Sequence, residues 1–278
     1  IDVSIMFKSQ IDAAKLKAKA GRSNDKSIKR DIVVSELKDF SSRTQSDVMS
    51  ILEAEESSGS VADINALWIV NAISCKASRD VIYKLASHPD VAVISYNREV
   101  QLLDNSKARE MDEAADDRGS AAPHVIQVNA DDVWNQGYTG KNVIVAVLDS
   151  GTNTNHYDLK DHLWVGYADT DDDGEEDDII HGWNYISNNS DITDDFGHGT
   201  HCAGIVCGDG TVGITVGVAP DATLMTLKIV NRAGGGSVDQ MLSGVQFAVE
   251  NGADVISMSL GFKNNQITDA KKKEIRDA

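Results

Sequence analysis

An unbroken apolar run from Val143 to Leu148, mostly β-branched, stands immediately before Asp149-Ser150-Gly151. A run without alternation suits a central parallel strand covered on both faces. Thr223 to Val230 and Val255 to Ser259 repeat the pattern more weakly. Between them Met241, Leu242, Val245, Ala248 and Val249 fall at helical spacing before Gly252. Ser237 and Gln240 stand where a capping box would open that helix. Another helix is expected from about His198, where Gly199-Thr-His-Cys-Ala-Gly204 leads into Ile205 and Val206. Strands alternating with helices predict an α/β fold with a doubly wound, mostly parallel sheet.

The first hundred residues follow another rhythm. Residues 1–30 are basic, with Lys8, Lys15, Lys17, Lys19, Arg22, Lys26, Lys29 and Arg30. Ile11, Ala14 and Ala18 fall on one helical face, which predicts a helical segment broken at Ser23-Asn24-Asp25. Residues 31–103 read as strand, helix, two strands, helix, strand. The pieces are Ile32 to Val34, Ser46 to Glu56, Val61 to Ile64, Leu67 to Ile73, Ser78 to Leu85, and Val91 to Ile94 after Pro89. Split βαβ units of this kind form a small α+β, ferredoxin-like sheet with two helices on one face. Residues 104–127 are polar and charged, an expected exposed linker open to proteolysis. Residues 128–278 are left for the parallel sheet.

Charge narrows the choice of partners. The chain carries 26 basic against 44 acidic residues, a net charge of −18, so nucleic acid and anionic membrane surfaces are poor partners. No apolar run approaches membrane-spanning length. Three cysteines, Cys75, Cys202 and Cys207, make no disulfide framework. The first residue is Ile rather than Met, and removal of a leader is the expectation.

Two positions carry candidate chemistry. Asp149 ends its strand at the side where open α/β sheets place their ligand crevices. His198 is flanked by Gly197 and Gly199 at the start of an apolar helix. A lone histidine is more often structural, but a carboxylate delivered to the same crevice makes it an acid–base candidate. Cys202, four residues on, leaves a thiol nucleophile open beside the commoner role of cysteine as a small buried apolar residue.

The strand with Asp149-Ser150-Gly151, taken with His198-Gly-Thr-His-Cys-Ala-Gly204, resembles the two signature motifs of the subtilisin-like serine proteases, the subtilases. Gly217-Val-Ala-Pro220, Gly234-Gly-Gly236 and Asp254 to Gly261 extend the likeness, which covers about Ala130 to Phe262. The resemblance implies a serine endopeptidase acting on a peptide or protein substrate. In its Asp-His-Ser triad, Asp149 would orient His198, the general base. The backbone of Gly234, Gly235 and Gly236 would pair edge-on with the substrate, and Ser259, Leu260 and Gly261 would line the pocket for the residue before the scissile bond. The family's serine lies in a Gly-Thr-Ser-Met-Ala motif, which does not occur in residues 1–278. The expectation is therefore a C-terminally incomplete subtilisin-like sheet, truncated ahead of its nucleophile and inactive alone. The alternative is a non-catalytic subtilase-like module used for binding or inhibition.

Trp68 to Ile73 and His88 to Tyr96 are similar to the subtilase propeptide. That likeness implies a domain over residues 31–103 that assists folding and then inhibits its own catalytic domain, with Asn97 to Asp104 in the substrate cleft. It also implies a maturation site in the linker and a secreted or cell-envelope location. Finally, Asp169, Asp171 and Asp173 with Gly174 match the first half of a calcium loop, although Ile180 stands where the loop's closing Glu belongs. Some subtilases carry an Asp-rich calcium loop before Gly-Trp-Asn, here Gly182-Trp-Asn184, so structural calcium is implied and no catalytic cofactor.

Overall fold

The computed structural model describes residues 1–102, 121–171, 173–211 and 213–262, which fall into two compact units. The first holds Ile1–Glu99 and Ser237–Gly252; the second holds Val100–Gly236 and Ala253–Gly261.

The first unit begins with β1 (Asp2–Phe7), α1 (Ala13–Ala20), α2 (Lys26–Glu56), β2 (Val61–Leu67), β3 (Ala72–Ala77), α3 (Arg79–Ala86) and β4 (Val91–Tyr96). Its sheet runs β2-β3-β1-β4, with antiparallel neighbours. Val3, Ile5 and Phe7 alternate onto one face of β1 and meet Val48 and Leu52 of α2 and Val81 and Leu85 of α3 in the core.

Three sequence expectations change here. Residues 1–30 are not a helical segment apart, because β1 lies inside the sheet. Ile32 to Val34 form no strand. They lie within α2, which Asp25 opens by accepting from the Ile28 N–H at 3.1 Å, so the expected break is a helix cap. The paired strands turn at Trp68 to Asn71 rather than at residues 65–66. Asn71 fixes that turn: it adopts φ 46, is 3% exposed, accepts from Gln45 Nε2 at 3.0 Å and donates to Ser9 O at 2.8 Å.

The chain continues through β5 (Glu99–Leu102), α4 (Pro123–Gln127), α5 (Ala130–Trp134) and β6 (Ile144–Asp149). Next come β7 (Gly166–Ala168), β8 (Asp178–Ile180), β9 (Gly182–Asn184), α6 (His198–Cys207) and β10 (Thr223–Lys228). Last are β11 (Gly235–Ser237), α7 (Val238–Glu250), β12 (Val255–Ser257) and β13 (Leu260–Gly261). In the second unit β12, β6, β10 and β9 form a sheet in that order, every pairing parallel. This is the α/β arrangement the apolar runs predict. Val145 and Val147 of β6 pack with Ala203 and Cys207 of α6 and Leu224 of β10. The exposed linker does not extend to residue 127. The Ala122 N–H donates to Thr215 O at 2.9 Å, and Val125 of α4 is fully buried against Ala122 and Ala130. The rest of the expected linker, including any maturation site in 104–120, lies outside the described residues, as does the charged tail beyond Phe262.

Helix α7 belongs to the first unit. Gln240 accepts from the Ser237 N–H at 3.1 Å at its start. It then meets the N-terminal elements through polar contacts. Asn97 Nδ2 donates to Asp239 Oδ1 at 2.6 Å, Asn65 Nδ2 to Ser243 Oγ at 2.9 Å, and the Ile69 N–H to Gln246 Oε1 at 3.2 Å. Among the described residues no helix is long and apolar enough to cross a membrane.

Candidate active site

Asp149 is the last residue of β6, 1% exposed, and stands beside Lys228 in the parallel register. His198 is the first residue of α6. Its Nδ1 lies 2.8 Å from Asp149 Oδ1 and 2.9 Å from Oδ2. With Nδ1–H given to the carboxylate, the lone pair sits on Nε2, the tautomer a general base requires. The Ser150 N–H also donates to Asp149 Oδ1, at 2.7 Å, and helps fix the carboxylate.

The close approach of α6 to the end of β6 depends on a missing side chain. The Gly199 N–H donates to Ser150 Oγ at 2.9 Å, and a methyl group on Gly199 would stand 2.2 Å from Gly151 O. Gly199 is therefore required by contact, not by flexibility.

Sequence reasoning assigned no role to Asp194, four residues before the histidine, yet it organises this corner. Its Oδ1 accepts from Ser150 Oγ at 2.9 Å, the Phe196 N–H at 3.1 Å and the Gly197 N–H at 2.8 Å. Its Oδ2 accepts from the Thr200 N–H at 2.8 Å and Thr200 Oγ1 at 2.6 Å. Burial alone would raise its pKa, but hydrogen bonds from the Thr200 hydroxyl, the Gly197 and Thr200 amides and the Phe196 amide outweigh burial and hold it below the ordinary value. Asp195 is held by Lys228 Nζ at 2.6 Å, which also donates to Thr193 O at 2.7 Å. The only advance signal was the adjacent Asp194-Asp195 pair just upstream of a helix start.

The glycine run and the Ser259-Leu260-Gly261 segment come to opposite sides of one strand. A three-stranded sheet runs β11-β5-β13, with Leu260 opposite Leu102 and Gly261 opposite Gln101, antiparallel. The Leu102 N–H donates to Gly234 O at 3.1 Å, while Gly235 and Gly236 lie in β11. Ser259 stands immediately before β13.

Residues 140–277 match the Subtilase family. They belong to it. Among the subtilases, the chain is 34% identical over 199 residues to the Minor extracellular protease Vpr of Bacillus subtilis (strain 168), an alignment that covers 69% of this chain and 23% of that protein. It is 40% identical over 135 residues to the Major intracellular serine protease of the same organism, covering 48% of this chain and 39% of the relative. It is 30% identical over 195 residues to Subtilisin E of the same organism, covering 69% and 42%. The chain thus spans less than half the length of these curated relatives.

In this subtilase chain Cys202 Sγ lies 3.7 Å from His198 Nδ1 and 4.0 Å from Nε2. Burial pushes the Cys202 thiol up; a hydrogen bond with Ser259 opposes that, and the Asp149 charge adds to it. The nearer ring nitrogen is already taken by Asp149. A protonated thiol so placed fits a small packed side chain better than a nucleophile. Burial likewise pushes Cys75 to about 11 and Cys207 to about 12, and all three cysteines are buried and free. Iodoacetamide at pH 7 is expected to leave all three unmodified in the folded protein and to modify them in denaturant, as read by intact mass. Rapid labelling of Cys202 in the folded state would restore the thiol reading.

Between β7 and β8 of the subtilase unit, Asp169, Asp171 and Asp173 each place an oxygen within 4.8 Å of the others. Asp169 Oδ2 accepts from the Gly174 N–H at 2.9 Å, while its Oδ1 is buried with no hydrogen-bond partner. Asp173 Oδ1 accepts from the Glu175 N–H at 2.9 Å. Among the described residues, the His198 ring bonds to the Asp149 carboxylate and contacts the Cys202 sulfur, and to no serine hydroxyl.

Proposed function

We propose that the chain is part of a serine endopeptidase precursor in which His198 is the general base and Asp149 its orienting carboxylate. The contact of both Asp149 oxygens with Nδ1 carries this reading. His198 Nε2 would take the proton of a serine hydroxyl as that oxygen attacks the peptide carbonyl. It would then return the proton to the leaving amine. Asp149 stays ionised throughout and stabilises the imidazolium. No serine hydroxyl among the described residues bonds to His198, and the Gly-Thr-Ser-Met-Ala motif does not occur in residues 1–278, so this polypeptide is expected to be inactive alone. The intact Asp149–His198 pair weighs against the alternative of a non-catalytic module.

The substrate is a peptide or protein segment held in extended form between Gly234–Gly236 and Ser259–Gly261, adding a strand to the sheet. The N-terminal region serves as the propeptide. Two observations support this: β5 occupies the place between β11 and β13, and residues 1–99 share a compact unit with α7 from the subtilase stretch. The propeptide then starts with β1 rather than near residue 31. Maturation falls within 104–120, and the mature protein acts outside the cytoplasm. Vpr is named as extracellular; another relative is named as intracellular.

The test uses the full-length protein and a synthetic peptide substrate. Turnover that a serine-directed sulfonyl fluoride abolishes supports the reading. Turnover by residues 1–278 alone, or none by the full-length protein freed of residues 1–120, overturns it.

A structural calcium ion held by Asp169, Asp171 and Asp173 completes the proposal, because the unpartnered Asp169 oxygen needs a cation or water. Calcium at 100 times its Kd would add about 2.7 kcal/mol to stability. Thermal denaturation should shift upward with calcium in the parent and not in Asp169→Asn. Equal shifts in both proteins would remove the site.

A further inference from the structure

Lys228 ends β10 with its side chain only 7% exposed. A buried ammonium needs a counter-charge and acceptors for its protons. It finds them in the segment ahead of His198, where Nζ donates to Asp195 Oδ1 at 2.6 Å and to Thr193 O at 2.7 Å. Another carboxylate stands in register with it. Lys228 and Asp149 are partners in the parallel pairing of β10 with β6, one strand spacing of about 4.8 Å apart. Partners in this pairing project to one face, since Val145 and its partner Leu224 enter the same core cluster. The flexible lysine stem can span that gap, yet the ammonium bonds to Asp195 instead.

The other acceptors nearby are already engaged. Asn184 stands in register on the far side of Lys228, and its Oδ1 accepts from the Ile186 N–H at 2.9 Å and the Ser187 N–H at 3.1 Å. Both Asp194 oxygens are filled by amides and hydroxyls. Asp191 Oδ1 accepts from the Thr193 N–H at 3.0 Å. The Asp195 carboxylate differs: among the described residues Lys228 is its one side-chain partner.

We propose that Asp195 is a positioning residue that holds the Lys228 ammonium off the Asp149 carboxylate, so that Asp149 stays with His198. Its consequence for turnover rests on the peptidase reading. Without Asp195, the buried ammonium keeps a carbonyl and loses its counter-charge. Turning to Asp149 restores a counter-charge and draws the carboxylate from His198 Nδ1. The ring then loses the partner that fixes its tautomer. Lys228 is thus a competitor for the orienting carboxylate, and Asp195 neutralises it.

Two measurements test the proposal. In residues 1–278, the low-field proton resonance of the His198 Nδ1–H reports its bond to Asp149 without any turnover. It should be present in the parent, lost in Asp195→Ala, and present again when Lys228→Met is added. Methionine keeps most of the side chain's length and removes the competitor. Asp195→Asn carries the same comparison if circular dichroism shows that the alanine variant does not fold. In the full-length protein, Asp195→Ala should lower kcat/KM roughly hundred-fold, and adding Lys228→Met should recover roughly ten-fold of the loss. A pair that serves structure alone predicts no recovery, because the double change then removes no less than the single one. A resonance that survives in Asp195→Ala, or one that Lys228→Met does not bring back, overturns the proposal. If the full-length protein cleaves no peptide, the peptidase reading fails, while the resonance still decides whether Asp195 guards the Asp149–His198 bond.

Discussion

Full-length protein carrying His198→Ala is expected to lose about a million-fold in kcat, with little change in KM. The magnitude is the one measured for the corresponding change in subtilisin, a member of the same family, so it is a precedent rather than an independent calculation. The physical reason is local. A serine hydroxyl at neutral pH is a poor nucleophile until a base accepts its proton, and with Nδ1–H given to Asp149, His198 would present its Nε2 lone pair as that base. Asp149→Asn should cost about ten-thousand-fold. Asparagine keeps the shape but can turn its NH₂ toward Nδ1, which then accepts; the ring proton moves to Nε2 and the base is lost. Because the two residues act as one unit, Asp149→Asn combined with His198→Ala should be no slower than His198→Ala alone. Steady-state kinetics on one peptide, with circular dichroism to check folding, reads all three variants. Multiplying losses, or a His198→Ala protein within a hundred-fold of the parent, would separate this pair from catalysis.

That pair was legible in the sequence because its two halves are carried by strong local patterns. The β-branched run before Asp149 has no other use than a central strand, and the parallel pairings of β6 with β10 and β12 follow from it. The N-terminal region was read less well. In β1 both faces are covered: Ser4 is 1% exposed although it lies opposite the Val3, Ile5, Phe7 face. Its alternation of apolar and polar residues therefore does not mark one side as wet, and Ile11, Ala14 and Ala18 further on, at helical spacing, suggested a helix for the whole segment. In α2 the β-branched triplet Ile32-Val33-Val34 is only half-buried, while the buried positions are Ser41, Gln45, Val48 and Leu52. The most apolar stretch of that helix is not its packed face, so local propensity pointed to a strand that tertiary packing does not make. The role of Asp194 was hidden for a different reason. Its partners are backbone amides and hydroxyls gathered by the turn into α6, and nothing in residue type foretells that gathering.

Asp194→Ala should lower stability by about 2–4 kcal/mol, because it strands donors that now share one carboxylate. Five converge there: the Phe196, Gly197 and Thr200 amides and the hydroxyls of Ser150 and Thr200. Some can turn to water, which keeps the loss below the sum of five separate bonds. Asp194→Asn should fare little better, since an amide offers one acceptor oxygen and turns its NH₂ toward donors. The pH dependence gives an independent check. The folded carboxyl lies below the ordinary 3.8, so its stabilisation is fully present above that value and is lost as pH falls through the lower folded value. Chemical denaturation at pH 7 should therefore show the full gap between parent and Asp194→Asn, and the gap should narrow at pH 3 and below. Activity should fall with stability in a particular way. Ser150 Oγ gives its hydrogen to Asp194 and accepts from the Gly199 N–H, so the carboxylate ties the end of β6 to the first turn of α6. Loosening that tie moves His198 relative to Asp149, so kcat should drop at least ten-fold. A variant as stable as the parent, or a stability gap that is the same at pH 3 as at pH 7, would show that Asp194 merely decorates the loop.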